Sequence, residues 1–285
     1  MTVSRHRRVR AQRLQQMLAL ALVLVAVGAL AASVPVRAAA PRVAAASSSG
    51  SVAHQLVGPA PSDGVLHVVA LGDSVPAGSG CDCTPFPVRY GRALAARSAR
   101  PVQVHNDGVP GLTSATIAAM LQDGGTAARD VASAGLVIIT IGANDFDSSR
   151  ADPSCPGGAA GCFDATLVGL AQHLDAILAR VAELRRYAPT TVLLTGYWDI
   201  WKDGQVAAKA GPDYVKTGET LTRRVNQQLQ QAARRDQATY VDLVTPFRGT
   251  SDSDDDTELL ADDGDHPNAA GHRAIADALL AASSR

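Results

Sequence analysis

The stretch VLHVVALGDS, residues 65–74, runs from apolar residues directly into a Gly-Asp-Ser turn. A run of Val, Leu and Ala that is ended by glycine is typical of a strand covered on both faces. A second run of this kind, GLVIITIG at residues 135–142, leads directly into Ala-Asn-Asp. Both patterns predict buried strands whose carboxyl ends carry polar side chains.

Apolar runs alternate with helical patterns along the chain on both sides of these two strands. Further strands are predicted in the segments PVQVHND, TTVLLTGYW and TYVDLV. The clearest helix covers residues 167–184, where leucines and other apolar residues recur every three or four positions, and Asn268 is available to cap a closing helix. Five alternations predict an α/β protein with a mainly parallel five-stranded sheet and helices on both faces.

The first 40 residues differ in composition from the rest of the chain. Five arginines and no acidic residue occupy residues 1–16, and an uncharged apolar stretch follows at 17–34. This order, with small residues at 38–40, is typical of a signal peptide that is removed. The apolar stretch could also span a bilayer as an uncleaved N-terminal anchor and membrane tether. Both alternatives place the remaining chain outside the cytoplasm, either secreted or on the cell-envelope surface.

The composition beyond this segment predicts one domain with an acidic surface. Residues 41–63 are rich in Ala, Ser, Gly and Pro and are predicted to be a flexible linker before a domain at 64–285. Without the six basic residues up to Arg37, the chain has 20 basic and 27 acidic residues, a formal net charge of −7. The absence of Lys and Arg clusters argues against nucleic acid and anionic lipid surfaces as partners.

The four cysteines are expected to form disulfides, because the chain is predicted to be exported. The turn-rich segment CPGGAAGC favours a pair between Cys155 and Cys162. Cys81 and Cys83 then pair with each other across one residue, a strained geometry, or exchange partners with the other two. A zinc site of all four is a further alternative, which the spacing disfavours. We therefore predict no bound metal.

Polar segments follow the predicted strands and should meet at one edge of the sheet, because parallel strands end on the same side. A serine hydroxyl becomes a nucleophile when a base removes its proton and a third group orients that base. Ser74, His266 and Asp263 supply these three groups. Asp263 lies three residues before His266, within reach of the imidazole Nδ1. Asp262 and Asp265 are the alternatives for the third group.

Such a nucleophile also requires fixed hydrogen-bond donors for the oxyanion that forms on attack. The candidates are the backbone N–H groups of Ser74 and Gly111 and the side-chain amide of Asn144, each just after a predicted strand. A residue before proline is biased away from helix. Val75 is therefore predicted to be extended before Pro76, and no helix is predicted to begin on Ser74.

Four blocks together resemble the SGNH hydrolases, also called GDSL esterases and lipases, of a secreted actinobacterial-like type. They are GDS at 72–74, GVPGLTS at 108–114, GAND at 142–145 and DGDHP at 263–267, in the family's order. The resemblance covers residues 65–285. It implies a flavodoxin-like three-layer α/β/α sandwich, a Ser-His-Asp triad, and ester hydrolysis without a metal or cofactor.

The resemblance also implies roles for single residues through their positions in the blocks. It implies that Ser74 is the nucleophile, His266 the base and Asp263 the group that orients it. Gly111 and Asn144 match the oxyanion donors that act beside the Ser74 amide. The chain departs from the family in reading GDSV instead of GDSL, which leaves the packing around this turn open.

Three aromatic residues after the fourth predicted strand, Tyr197, Trp198 and Trp201, are candidates to line an acyl or sugar pocket, with core packing as the alternative. The sequence has no long apolar insertion of the kind that is typical of a lid. This favours short acyl groups on small or carbohydrate alcohols over triglyceride. The sequence therefore predicts a monomeric, secreted serine esterase that acts on small-molecule, lipid or carbohydrate esters. Acyl transfer to a cell-envelope acceptor and a catalytically silent envelope-binding module are the alternatives.

Overall fold

A computed structural model describes residues 64–146, 160–186 and 188–283. Its centre is a five-stranded sheet in the order β2-β1-β3-β4-β5, with every neighbouring pair parallel. The strands are β1 (Leu66–Gly72), β2 (Val102–Gly108), β3 (Leu136–Thr140), β4 (Thr191–Thr195) and β5 (Thr239–Val241). The predicted α/β fold with a parallel five-stranded sheet is confirmed.

The central strands have the burial that their apolar runs predict. All five residues of β3 are buried, and in β1 only His67 is partly exposed. In the sheet register Gly72, the last residue of β1, lies beside Gly108 of β2 on one side and Thr140 of β3 on the other. The next two strands in sequence, β2 and β3, thus lie on opposite sides of β1. Because the strand order reverses at this point, a crevice forms at the carboxyl ends of β1 and β3.

Helices cover both faces of the sheet. The nine within the described residues are α1 (Ser74–Ala77), α2 (Phe86–Ser98), α3 (Ser114–Gln122), α4 (Thr126–Ser133), α5 (Asp164–Leu184), α6 (Gly204–Ala210), α7 (Pro212–Arg235), α8 (Val244–Arg248) and α9 (Ala269–Ala282). Helices α2 and α9 pack against each other, and α5 packs against both α3 and α7. This is the arrangement that right-handed crossovers on both sides of β1 produce.

The short helix α1 corrects the prediction for the segment after β1. Val75 was expected to be extended, but a one-turn helix begins on Ser74. Two features permit it. The carboxylate of Asp73 caps the helix by accepting from the Val75 N–H at 3.0 Å, and Pro76 occupies the first turn, where its missing N–H would have had no helical acceptor. Helices α4, α6 and α8 were not predicted from the sequence.

Several predicted segments lie outside the described residues. They are the signal peptide or anchor at 1–40, the linker at 41–63, and Cys155. Within the described residues, one helical segment, Gly161–Leu184, is long and apolar enough to cross a membrane by length and composition alone. Its apolar side chains, such as Leu170 and Leu174, are buried in the core of the domain.

Candidate active site

A pocket of about 300 Å³ opens at the carboxyl ends of the central strands. Its walls include Ser74, Asn144, Tyr197, Trp198, Trp201 and His266. A larger, open groove of about 1140 Å³ lies beside β5, between α7 and α9, and none of the predicted site residues lines it. The fold thus brings the predicted nucleophile, the predicted base and one predicted oxyanion donor to the smaller pocket.

The serine lies in a turn, residues 72–77, that we call the nucleophile turn. Gly72 has a φ of +153°, and a Cβ there would lie 2.1 Å from the carbonyl oxygen of Thr140. Only glycine therefore allows β1 and β3 to approach so closely at this point. The side-chain amide of Asn106 donates to the carbonyl of Pro76 at 2.7 Å. Contacts from β2 and β3 thus fix the turn on both sides of Ser74.

A buried hydrogen bond holds the residue before the serine. The hydroxyl of Tyr197 donates to Asp73 Oδ2 at 2.5 Å, and each residue is only 1% exposed. Burial raises the pKa of Asp73 to about 6, although the hydrogen bonds from Tyr197 and the Val75 N–H lower it in part. The segment after β4 is thereby tied to the nucleophile turn through a side chain that also caps α1.

The histidine lies in a loop, residues 260–268, that we call the base loop. His266 Nδ1 is 2.7 Å from Asp263 Oδ2. Because a carboxylate can only accept, this contact requires a proton on Nδ1, and in the neutral imidazole the lone pair is then on Nε2. Asp263 Oδ1 also accepts from the backbone N–H groups of Asp265 and His266, at 2.9 and 3.0 Å. The imidazole is thus oriented as a base requires.

Asp263 is the aspartate that contacts the imidazole, as the three-residue spacing predicts. Burial alone would raise its pKa, but the hydrogen bonds from Asp265 and His266 lower it below its ordinary value. Asp265 lines the pocket, and Asp262 is exposed. Within the described residues, Ser74 Oγ makes no hydrogen bond, including none to His266. Such contacts are often long in enzymes without substrate and shorten in the complex.

The predicted oxyanion donors occupy the turns after β1, β2 and β3. Asn144 lies in a 3₁₀ turn, Ala143–Phe146, and its side-chain amide donates one N–H to the carbonyl of Leu112 at 3.0 Å. Because an amide carries two N–H donors, one remains for a ligand. Gly111 lies in an exposed turn with a φ of +80°, outside the residues that line the pocket. The hydrogen bond from Asn144 to Leu112 nevertheless connects the turn that carries Asn144 to the turn that carries Gly111.

The sequence profile of the GDSL-like lipase/acylhydrolase family matches residues 70–274, well over half of the chain. The protein belongs to this family. It is an SGNH-type serine ester hydrolase, as the four sequence blocks predict. No curated protein sequence matches the chain at a significant level.

Solved structures share the SGNH fold with this chain at low sequence identity. A lipase from a goat rumen metagenome is 23% identical, with a TM-score of 0.60, over 76% of this chain and 97% of its own. An acetylxylan esterase from Geobacillus stearothermophilus is 18% identical, with a TM-score of 0.55, over 77% and 94%. An alpha/beta hydrolase enzyme from the metagenome of Lake Arreo, Spain, is 22% identical, with a TM-score of 0.53, over 76% and 94%.

A second serine, histidine and aspartate support the Asn144 turn of this SGNH hydrolase. The hydroxyl of Ser114 donates to Asp145 Oδ1 at 2.7 Å and lies 2.9 Å from His173 Nδ1. The Ser114 N–H also donates to Asp145 Oδ2 at 2.9 Å. Ser114 is fully buried and bonded on both sides, so the group fixes the turn instead of offering a nucleophile. Asp145 in the GAND block was the sequence signal for this support.

The three predicted aromatic residues all line the pocket of the hydrolase, but two of them are almost fully buried. Tyr197 is 1% and Trp198 2% exposed, and Trp198 stacks on Phe247 with ring centres 4.2 Å apart. Trp201 is partly exposed, and its ring stacks on Tyr214. Trp201 therefore offers the most accessible surface of the three to a substrate.

The structure joins Cys81 to Cys83 by a disulfide, two residues apart in the loop after α1. The expected pair of Cys155 and Cys162 lies outside the described residues, because Cys155 does. The sulfur atoms of Cys81 and Cys83 also lie within 4.8 Å of a ring nitrogen of His272. Sulfurs joined in a disulfide are not the thiolates that bind metals, so this group offers no metal site in the described structure.

A group of charged side chains around the buried Arg248 lies beside the base loop and supports it. Arg248 donates to Asp203 at 2.6 Å, to Glu219 at 2.8 Å and to Asp252 at 2.8 Å. The Asp203 N–H donates to the carbonyl of Gly264, beside Asp263, at 2.7 Å. Asp256, 1% exposed, lies next to this group. Burial and the neighbouring Asp203 raise the pKa of Asp256 to about 8.

Proposed function

We propose that the protein is a secreted or cell-surface serine esterase whose triad is Ser74, His266 and Asp263. Ser74 Oγ attacks the ester carbonyl while His266 Nε2 takes its proton. The same nitrogen then protonates the leaving alkoxide, and an acyl-enzyme remains. A water molecule, deprotonated by His266, hydrolyses that acyl-enzyme and restores the serine. The negative charge of Asp263 stabilises the imidazolium that forms in each step.

One observation carries this proposal. The imidazole of His266 is oriented by Asp263 in the tautomer that leaves Nε2 free to accept a proton, and it lines the same pocket as Ser74. Ser74 begins a helix, where its N–H has no acceptor within the described residues. That N–H, the second N–H of Asn144 and the N–H of Gly111 are the proposed donors to the oxyanion.

The pocket supports a small ester as the substrate. Its volume of about 300 Å³ is at the lower end of the range for ligand pockets, about 300–1,000 Å³. Beyond Ser74 and His266, polar side chains such as Asp199, Lys202 and Asp265 form part of the wall. We therefore propose a short acyl group on a small or carbohydrate alcohol, and we rank lipid esters lower.

The proposed location outside the cytoplasm depends on the sequence of the first 40 residues, where a basic segment precedes an apolar stretch and small residues. The Cys81–Cys83 disulfide supports it, because disulfides persist in oxidising compartments.

The test is hydrolysis of p-nitrophenyl esters, from acetate to palmitate, by a chain that starts at residue 41. We expect activity to be highest on acetate and butyrate and to vanish in Ser74→Ala. Equal rates for the wild type and Ser74→Ala would contradict the proposed nucleophile. A rate that increases toward palmitate would contradict the proposed acyl preference.

A further inference from the structure

The loop that follows helix α1 contacts the proposed catalytic histidine. Helix α1 begins at Ser74, and the N–H groups of Gly78 and Ser79 both donate to the carbonyl of Ser74, at 3.1 and 3.0 Å. The chain therefore passes from the nucleophile to Gly80 within six residues. A displacement of this loop therefore also displaces the helix that carries Ser74.

Gly80 packs against the part of His266 nearest the backbone. A Cβ on Gly80 would lie 2.7 Å from His266 Cβ, 3.3 Å from its Cγ and 3.4 Å from the Cβ of Ala261. These atoms are not the ends of flexible side chains, and no rotation about χ1 moves His266 Cβ. A side chain at position 80 must therefore displace the base loop or the loop after α1.

The disulfide closes the chain directly after this contact. Cys81 and Cys83 form a ring of three residues, and the N–H of Cys81 donates to the carbonyl of Gly78 at 3.4 Å. On the far side, the N–H of Phe86 donates to Nδ1 of the buried His272 at 3.2 Å. The loop is thus restrained at both ends and by the covalent ring between them.

We propose that Gly80 and the Cys81–Cys83 ring position the imidazole of His266 relative to Ser74 Oγ. This inference rests on the proposed function of Ser74 and His266. Gly80 is a positioning residue, because it acts on the base and not on the substrate. The physical reason is a short path: residues 74–83 begin with helix α1, contact the base loop through Gly80 and end in the disulfide ring.

The first test compares Gly80→Ala with Gly124→Ala. Both glycines have a φ of +70°, but nothing lies within 4 Å of a Cβ at Gly124. The two variants share the cost of alanine in a left-handed conformation, and only Gly80→Ala pushes on His266. Because a shift of about 1 Å at a catalytic group can cost about 10²-fold in rate, we expect a loss of that size in kcat for Gly80→Ala. We expect KM within about twofold of the wild type.

The rates are expressed per active site, by titrating Ser74 to completion with a fluorophosphonate. A merely structural role of Gly80 would lower the number of titrated sites and the melting temperature, and it would leave kcat per site unchanged. Equal kcat per site in Gly80→Ala and Gly124→Ala would overturn the inference.

The second test removes the ring in the double variant Cys81→Ser/Cys83→Ser. We expect about a tenfold loss in kcat per titrated site, and a similar loss when the wild type is treated with a dithiol reductant that opens the Cys81–Cys83 bond. If Gly80→Ala does not fold, the double variant decides, and an unchanged kcat per site overturns the inference.

His266→Gln, assayed in the same series, separates the two proposals. If the wild type neither hydrolyses the esters nor reacts with the probe, the proposed function fails. If the wild type is active, His266→Gln is inactive, and Gly80→Ala and the double variant keep the wild-type kcat per site, the positioning inference alone fails.

Discussion

The nucleophile turn and the base loop lie at the same pocket but are held in different ways. The nucleophile turn is fixed by side chains and backbone from β2, β3 and the segment after β4, through Asn106, Thr140 and Tyr197. The base loop combines bonds within itself, such as those that Asp263 accepts from backbone N–H groups two and three residues later, with a backbone bond that Gly264 accepts from Asp203. Changes in the nucleophile turn should therefore reduce stability, and changes in the base loop should reduce activity in a protein that remains folded.

The largest expected effect is in the base loop, in Asp263→Asn. The side chain of Asp263 is 41% exposed, so its replacement should leave the fold intact. Loss of the orienting carboxylate in a triad lowers kcat by about 10⁴-fold, because the imidazole takes the wrong tautomer. The measurement is kcat on p-nitrophenyl acetate together with the melting temperature.

Asp262→Asn is the matched control, because Asp262 is an exposed neighbour with no hydrogen bond to the imidazole. We expect its kcat to stay within about twofold of the wild type, as for most surface substitutions. A larger loss in Asp262→Asn than in Asp263→Asn would reverse the assignment of the third triad member.

The second effect is in the nucleophile turn, in Gly72→Ala. The new Cβ would lie 2.1 Å from the Thr140 carbonyl oxygen, in a sheet that cannot move aside without loss of its hydrogen bonds. We expect the free energy of unfolding to fall by about 3 kcal/mol or more, measured by urea denaturation. Gly124→Ala, with open space around its Cβ, should lose less than half as much. Equal losses would show that the strands can separate at this point.

The third effect is in Tyr197→Phe, which removes the hydroxyl that donates to Asp73 in a fully buried site. A buried acceptor without its donor costs about 1–3 kcal/mol of stability. The pKa of Asp73 should rise further in this variant, because the lost hydrogen bond lowered it. The loss of stability should therefore be larger at pH 8, where the carboxylate is charged, than at pH 5.

Tyr214→Phe is the control for this substitution, because Tyr214 is partly exposed and its hydroxyl only accepts from the Lys202 N–H at 3.2 Å. Its melting temperature should stay close to that of the wild type. A loss in Tyr197→Phe that is no larger than in Tyr214→Phe would contradict the account of how the nucleophile turn is held.

The smallest effect is the pH dependence of stability, which tests the support of the base loop. Burial raises the pKa of Asp199 to about 7 and that of Asp256 to about 8. Between pH 6.5 and 8.5 the folded protein therefore holds protons that the unfolded chain has released, so stability falls as pH rises. His272, whose pKa burial lowers to about 4, acts in the opposite direction only below about pH 6.5.

We expect a higher melting temperature at pH 6.5 than at pH 8.5. The difference should be about 2–4 °C for each kcal/mol by which the free energy of unfolding falls over this range. Asp256→Asn should reduce this difference, because an amide does not titrate. A melting temperature that is constant or rises toward pH 8.5 would show that these carboxyl groups are not protonated in the folded state.

The sequence was sufficient to predict the sheet and the residues at its edge. Apolar runs bounded by glycine are a local signal, and the spacing of Asp263 and His266 requires no knowledge of the fold. The start of α1 on Ser74 was missed, because the rule for residues before proline did not take account of the cap from Asp73. Helices such as α6 and α8 were missed because they are short and carry little periodicity.

Contacts between distant segments could not be predicted from the sequence. The bond from Tyr197 to Asp73 joins residues 124 positions apart. The contact of Gly80 with His266 depends on how two loops meet at the pocket. No spacing or composition encodes such contacts, because they arise from the packing of segments that the sheet topology brings together.

Activation of Ser74 by His266 is tested most simply by locating the adduct of a fluorophosphonate by peptide mass spectrometry, in the wild type and in His266→Gln. We predict a single modified residue, Ser74, in the wild type, and a labelling rate lower by about 10³-fold or more in His266→Gln. Labelling at another residue, or equal labelling rates in the two proteins, would contradict the claim that His266 activates Ser74.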